Sequence, residues 1–234
     1  MIATPVSEVP YMVSVDDMQK ENEERLKKEA ERLFSGFNIE VEWLVRIGTP
    51  SDEIKLLTQE KEIDLVILAT KGEGGLEKII GSTTTNTIRK IKTPVLIIPQ
   101  NGIFIPIKNI SYASDFTYNS SFHLFNFLLE LLKIFQASLT ILHVHNQHEK
   151  KAIDELAGKK DIENIFKETD HKFHIIHGAS VMHGINEFIE QNATDLLVMV
   201  AHKHTFLERV FGKSNTKEMA YETKVPLLVL QDKK

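Results

Sequence analysis

The sequence predicts a doubly wound α/β protein in two tandem copies, each with a parallel sheet between layers of helices. Three observations predict this fold: an internal repeat, a regular alternation of strand and helix patterns, and apolar runs without polar alternation. Runs such as "LTILHV" and "DLLVMV" are apolar on consecutive residues, as expected of parallel strands that helices cover on both faces. Ligands of such sheets bind beyond the carboxyl ends of the strands, so that edge is the place to look for a site.

The internal repeat covers most of the chain. "EIDLVILATKG" recurs as "ATDLLVMVAHK", and "KTPVLIIPQ" recurs as "KVPLLVLQ". Corresponding residues lie 131 or 132 positions apart, so that Asp64 corresponds to Asp195. Before the first of these segments each copy has a glycine, a turn with Ser51 or Ser180 as a candidate helix N-cap, and an amphipathic helix. We therefore expect one domain over residues 1–100 and a second over residues 101–234.

The second copy has the pattern of a complete unit. Its predicted strands lie near 108–114, 138–144, 172–177, 195–200 and 226–231, and its predicted helices near 119–136, 149–168, 181–192 and 214–223.

The first copy has no room for a complete unit. The repeat offset places the counterpart of Asp115, which closes the first strand of the second copy, before Met1, and residues 1–5 resemble the end of a second strand. We therefore expect the first copy to lack its first strand, its first helix and most of its second strand. Either the start of the chain is truncated, or the remnant completes its sheet in another way. Unpaired strand edges tend to pair with other chains.

Composition bounds the partners and the compartment. The chain has 42% hydrophobic and 26% charged residues and a formal charge of −5. This negative charge gives no electrostatic reason to expect nucleic acid or an anionic membrane as a partner. The N-terminus lacks the pattern of a signal peptide, and the apolar stretch "FHLFNFLLELLKIF" is too short to span a bilayer. The absence of cysteine excludes disulfides and thiolate metal sites. We expect a cytoplasmic protein that binds neither nucleic acid nor membrane.

The order of segments then carries a resemblance. The second copy has "NISYASDF", a long helix, "LTILHV", "HGASVMHGINEFIEQNATDLLVM" and "TKVPLLVL", and the first has "RIGTPSDEIKLLTQEKEIDLVILATKGEGGLEKIIGS" and "KTPVLIIP". Over almost the whole chain this order resembles the universal stress protein family. The resemblance implies a Rossmann-like fold of the adenine nucleotide alpha hydrolase type. In the nucleotide-binding branch, an aspartate after the first strand and the backbone of the second strand hold adenosine, and a Gly-x2-Gly-x9-Gly-Ser/Thr loop after the fourth strand holds the phosphates.

Against that pattern, the loop of the first copy is half complete. Ala69 stands at the first glycine position, Gly72 fits the second, and Gly81 and Ser82 fit the end, with eight intervening residues instead of nine. Backbone N–H groups at the start of a helix could hold an anion there. Because the adenosine half of the site is absent, we favour the interpretation that Ser82 caps the helix and the glycines form a turn.

The second copy has the opposite balance. Asp115 follows the first strand, Val144 ends the second, and Met199 stands where the family has an apolar residue beside the nucleotide. The three glycine positions, however, hold Val200, Lys203 and Lys213, and Ser214 alone of the loop pattern remains. Side chains there should crowd a triphosphate, whereas lysines attract phosphate as point charges. ATP or AMP is the ligand that this site would take. The alternative is that Asp115 is a helix cap or turn residue.

The histidines suggest a third interpretation. All 10 lie at or after His123, and His145 and His177 should approach each other at the ends of neighbouring strands. Imidazoles bind zinc or nickel, but no spacing typical of a metal site is present, and incidental histidines remain the favoured interpretation.

No catalytic residue is predicted from the sequence. "FGKS" resembles the end of a Walker A loop, but Leu207 stands at its required first glycine. Neither a nucleophile elbow nor a His-Glu-x-x-His motif occurs.

The leading hypothesis is a regulatory stress-response module that works through dimerisation and binding of unidentified protein partners. The rival hypotheses are an ATP or AMP sensor in the second copy, with at most slow hydrolysis, and a histidine-based metal-binding module. The last strands of the two copies, "TPVLIIP" and "VPLLVL", can pair within one chain. We expect a homodimer whose contact involves residues 1–15 or the strand "DLVILAT".

Overall fold

The computed structural model describes residues 14–69, 82–99, 105–116, 122–145, 152–177, 181–201 and 225–232. By compactness the chain divides into residues 1–49 and residues 50–234. The helices and strands are α1 (Val15–Phe37), α2 (Pro50–Glu60), β1 (Val66–Ala69), α3 (Ser82–Lys90), β2 (Val95–Ile98), β3 (Asn109–Ala113), α4 (Asn126–Phe135, preceded by a 3₁₀ turn over Phe122–Phe125), β4 (Ser138–His145), α5 (Ala152–Phe166), β5 (His171–His177), α6 (Val181–Gln191), β6 (Leu196–Ala201) and β7 (Leu227–Gln231).

The seven strands that the structure describes in the larger unit form a single sheet in the order β1-β2-β7-β6-β3-β4-β5. Every neighbouring pair is parallel except β2 and β7. The second copy contributes five strands in the order third, second, first, fourth, fifth, which is the order of the first five strands of the classic doubly wound fold. The predicted fold class is confirmed.

The antiparallel pair joins the two copies. Val95 lies opposite Val229, and Ile97 lies opposite Leu227, so the predicted pairing of the last strands within one chain is confirmed. The two copies also share local geometry: the Val66 N–H donates to the Pro94 carbonyl, and the Leu197 N–H to the Pro226 carbonyl, both at 2.9 Å.

Most predicted elements of the second copy are close to those observed. Each of its five strands ends within one residue of the prediction. The predicted helix near 119–136 is instead a 3₁₀ turn followed by α4, which ends where Gln136 adopts a left-handed conformation with φ 50°. The predicted helix over 214–223 and residues 1–5 lie outside the described residues.

The prediction of Ser51 as a helix N-cap is wrong. Helix α2 begins one residue earlier, at Pro50, because the fixed φ of proline suits the first position of a helix. Ser51 therefore lies within the first turn, where it is buried and its hydroxyl accepts a hydrogen bond from Lys90 Nζ at 3.0 Å. Lys90 also pairs with Asp52 at 2.6 Å, so these contacts hold α2 against α3. Ser180 lies outside the described residues.

Two apolar layers pack on the faces of the sheet. One layer combines strand residues with side chains of α3 and α6, among them Ile88, Ile185 and Phe188. The opposite layer combines them with α4 and α5 and contains a group of aromatic rings. In it, Phe125 lies 5.4 Å from Tyr112 between ring centroids. Both faces of the second copy are therefore covered, as its continuous apolar strands require.

The described residues of the smaller unit, 14–49, contain one long helix followed by a segment without regular secondary structure. The hydroxyl of Ser14 caps α1 by accepting the Asp17 N–H at 3.1 Å, and Asn38 ends the helix with φ 53°. Arg32 donates to Glu29 and lowers the pKa of that carboxyl. The following residues 38–47 form no strand, although the repeat, in which Gly48 corresponds to Gly178, aligns residues 41–47 with β5. Strand β5 forms by pairing with β4, and the described part of the first copy has no counterpart of β4.

Candidate functional site

The candidate site is the turn that follows β3 at the carboxyl edge of the sheet. The Ser114 N–H donates to the Leu142 carbonyl at 2.9 Å and extends the β3–β4 ladder by one residue. Two residues later Phe116 adopts a left-handed conformation with φ 55°, and its N–H donates to Ser114 Oγ at 3.2 Å. A bulky residue in this conformation is uncommon and is held only by its surroundings. The reversal leaves Asp115, which is half-buried, at the sheet edge.

A stacking contact and a hydrogen bond, both made by His143, hold the turn in place. The Phe116 ring stacks on the imidazole of His143 with a centroid distance of 4.3 Å and an interplanar angle of 17°. His143 Nδ1 lies 2.9 Å from the Ser114 carbonyl. A carbonyl only accepts hydrogen bonds, so Nδ1 carries the proton. Both rings are buried. His143 thus fixes both the backbone and the side chain of this turn.

Gly158 on α5 lets the helix approach the same turn. A Cβ atom at this position would lie 1.7 Å from the Phe116 carbonyl oxygen. Any residue other than glycine would therefore displace the backbone. The sequence pattern does not predict Phe116, His143 or Gly158 as site residues. The available signal was Gly158 itself, because an isolated glycine inside a helical pattern usually has a packing reason.

Val144 and Met199 lie beneath this edge on the strands that flank β3. Both side chains belong to the same apolar layer as Ala113, which pairs with Met199 and lies two residues before Asp115. Met199 is completely buried, so its side chain packs beneath the carboxyl edge of the sheet. The structure thus brings Asp115, Val144 and Met199 to neighbouring strand ends. Ser82 is the exposed first residue of α3, so the interpretation that it caps this helix is wrong, because a cap residue precedes the first helical residue. The other predicted residues lie outside the described ranges: Gly72, Gly81, Lys203, Lys213 and Ser214.

Gln231 adds a polar group at the same edge. It is the last residue of β7, lies opposite Ala201 and is 8% exposed. Its side-chain amide oxygen and nitrogen have no hydrogen-bond partner within the described part of the chain. A buried amide without partners is unfavourable, so Gln231 could both donate to and accept from a polar group placed after β6. Nothing in the sequence pattern had indicated this residue.

The expected approach of two histidines is confirmed. His145 on β4 lies opposite His177 on β5, with ring centroids 5.6 Å apart. The rings of His143 and His145 are 6.3 Å apart. Within the described ranges, no three or more His, Cys, Asp or Glu side chains form a group that could hold a metal ion. The described helices also include none that is both long and apolar enough to cross a membrane.

The sheet order and the repeat define a doubly wound α/β protein of two tandem units. The model of the Universal stress protein family matches residues 2–99 and 106–231. The chain belongs to this family, which confirms the resemblance seen in the sequence.

The relatives with curated names are archaeal and match part of the chain. Universal stress protein MJ0577 of Methanocaldococcus jannaschii is 28% identical over 97 residues, which is 38% of this chain and 60% of that protein. Universal stress protein MJ0531 of the same organism is 29% identical over 82 residues, or 35% of this chain and 48% of the relative. The matches thus span about half to three fifths of each relative.

Solved structures share the fold over nearly the whole chain. A universal stress protein from Archaeoglobus fulgidus superposes with a TM-score of 0.69 at 19% identity, over 97% of this chain and 84% of the other. A putative universal stress protein from Pseudomonas aeruginosa has a TM-score of 0.63 at 18% identity, over 90% and 78% of the two chains. At these identities the likeness extends to the fold alone.

Proposed function

We propose that this chain is a cytoplasmic stress-response and regulatory module that works through dimerisation and partner binding, with degenerate nucleotide loops. In this proposal neither copy turns over a substrate as its main activity. The replaced glycines of the second copy support weak nucleotide binding, because side chains at those positions would crowd a triphosphate.

The observation that carries the proposal is the open edge of the sheet at β1. The last strands of the two copies already pair with each other. Within the described residues, β1 has a strand neighbour on one side only. Ile67 in this strand is 61% exposed. An apolar strand with an unpaired edge is a surface for protein contact.

Sedimentation equilibrium tests this proposal. We expect a homodimer at micromolar concentration, with the strand β1 or residues 1–15 at the contact. A stable monomer of 26.7 kDa at the same concentration would contradict it.

The second candidate function is an ATP or AMP sensor in the second copy. Gln231 favours it, because its buried amide has no partner among the described residues and lies at the same edge as Asp115. Slow hydrolysis would be the most that such a site performs. Nucleotide affinity separates this candidate from the first.

A further inference from the structure

The two copies differ in what lies beside their fourth strand. In the second copy, β6 lies between β7 and β3. In the first copy, the corresponding strand β1 pairs with β2 and has no second neighbour among the described residues. The Val66 N–H points to the β2 side, where it bonds Pro94. Since successive peptide groups alternate sides, those of Ile67 point to the open side and can accept another strand.

The second copy shows how such a neighbour is held. The Asp195 carboxylate accepts hydrogen bonds from the backbone N–H groups of Lys108 and Asn109, at 2.9 and 2.8 Å, and from Asn109 Nδ2 at 3.1 Å. The Asp195 N–H donates to the Asn109 carbonyl at 2.8 Å. One carboxylate therefore fixes the start of β3 and sets its parallel register beside β6.

The first copy keeps this carboxylate. Asp64 occupies the position equivalent to Asp195 and precedes β1 as Asp195 precedes β6. Asp64 is exposed, and no described residue donates a hydrogen bond to its side chain. The carboxylate is thus in place for two consecutive backbone N–H groups at the start of an added strand.

The exposed side chain of Ile67 on β1 indicates what must follow that strand. Ile67 is 61% exposed, whereas its counterpart Val198 is completely buried. Val198 lies in an apolar layer that also contains Leu128. Leu128 belongs to α4, the helix that follows β3. Leu65 packs against that layer and is only partly buried. A helix placed like α4 would therefore cover Ile67.

We propose that β1 and Asp64 form a docking site for a strand and the amphipathic helix that follows it, supplied by another polypeptide and parallel to β1. The inference rests on the proposed function, partner binding, and specifies the partner's chemistry. Asp64 binds the first two backbone amides of the strand, and the apolar face of the helix covers Ile67. Two copies of β1 about a two-fold axis would run antiparallel and would bring no strand start to Asp64. The homodimer is then the state without partner, and the partner competes with it.

The chain contains a suitable probe, because its own β3 and α4 have the required form. A fluorescein-labelled synthetic peptide with the sequence of residues 106–135 is titrated against the full chain and followed by anisotropy. We expect saturable binding with one peptide per chain. Asp64→Asn should weaken it about tenfold or more, because it removes a charged acceptor of two hydrogen bonds. The matched control Glu62→Gln, two residues away and also exposed, should bind as the unmodified chain does.

Three results would overturn the inference. The first is that the Asp64→Asn variant binds the peptide as tightly as the unmodified chain does. If Asp195→Asn alone reduces binding, the peptide has instead replaced β3 and α4 in the second copy. The second is equal binding of a peptide with Ser111→Pro, which cannot pair as a strand. The third is slow hydrogen exchange of residues 65–69 in the monomeric chain alone, which would show that the chain itself fills this edge.

The two proposals fail separately. A dimer that binds no peptide contradicts the docking site and leaves the homodimer standing. A monomer that binds the peptide through Asp64 contradicts the homodimer and supports the docking site.

Discussion

Phe116 shows how single residues shape the carboxyl edge. Its left-handed backbone, its stacking on His143 and its contact with Gly158 support one another. The conformation is unfavourable by itself and is maintained by the two buried contacts. The position of Asp115 beside it therefore depends on a helix that follows about forty residues later.

Gly158→Ala should destabilise the protein. The added methyl group would meet the Phe116 carbonyl oxygen at 1.7 Å, so α5 or the turn must move, and we expect a loss of about 1–3 kcal/mol in the free energy of unfolding. Urea denaturation measures the effect. Gly36→Ala is the matched control in a helix, where the new Cβ has no atom within 4 Å. This control should be neutral or gain up to about 1 kcal/mol. Equal effects of the two changes would show that the close approach is not a constraint.

Nucleotide should stabilise the protein little. With the glycine positions of the second copy replaced, millimolar magnesium ATP should add less than about 1 kcal/mol, which corresponds to a dissociation constant near the ligand concentration. A thermal shift or calorimetric titration checks this. Micromolar affinity would instead favour the sensor function. Asp115→Ala should then abolish binding, and unchanged affinity in that variant would mean that the site lies elsewhere.

Zinc should bind weakly and without fixed stoichiometry at neutral pH. Two imidazoles, those of His145 and His177, are close together, whereas structural zinc sites use four ligands. Metal content and calorimetry of protein prepared without a histidine tag test this expectation. Stoichiometric zinc would contradict it and favour the metal-binding alternative. In that case His145→Ala should release the metal, and His171→Ala, at the opposite end of β5, should not.

At the scale of elements, the two equivalent aspartates should have different effects on stability. Asp195→Ala removes three hydrogen bonds at the start of β3 and should cost about 2–3 kcal/mol, because backbone amides lose a charged acceptor. Asp64→Ala should change the stability of the isolated chain by less than about 0.5 kcal/mol, as expected of a surface position. Chemical denaturation of both variants compares them. A large loss for Asp64→Ala would show that its carboxylate already serves the folded chain.

The strands were predictable because their signal is local. Buried parallel strands are continuously apolar, so "LTILHV" and "DLLVMV" mark β4 and β6 directly. Once the strand order was inferred, the approach of His145 and His177 followed from topology. Helix ends were less accessible. Gln136 adopts a left-handed conformation without the glycine that usually announces it, and Pro50 begins α2 one residue before the predicted cap.

The contacts of the candidate site were not predictable in the same way. The stacking of Phe116 on His143 joins segments about thirty residues apart, and Gly158 meets the same turn from a third segment. The spacing of apolar residues along the chain does not predict these contacts, because they depend on how three elements pack together. The repeat is the better guide to long-range geometry, because it identifies Asp64 and Asp195 as equivalent from the sequence alone.

At the scale of the whole molecule, the proposed self-association depends on one strand. If the homodimer forms through β1, Ile67→Lys should raise the dissociation constant of the dimer at least about tenfold. A charged residue on an edge strand opposes strand pairing. Leu56→Lys is the control, since Leu56 is a 44% exposed apolar residue on α2. Sedimentation velocity compares the two variants. Loss of the dimer in both, or in neither, would place the contact elsewhere.

The antiparallel pairing of β2 with β7 has a consequence for how the protein behaves on dilution. Strands on separate chains would meet only as often as their concentration allows, whereas strands on one chain meet at an effective concentration set by the connecting residues, commonly millimolar. The seven-stranded sheet should therefore persist at nanomolar levels, where a pair of single-copy subunits of moderate affinity would separate. Abundance in the cell would then alter only the contacts at the outer edges, while the join between the two copies stayed constant.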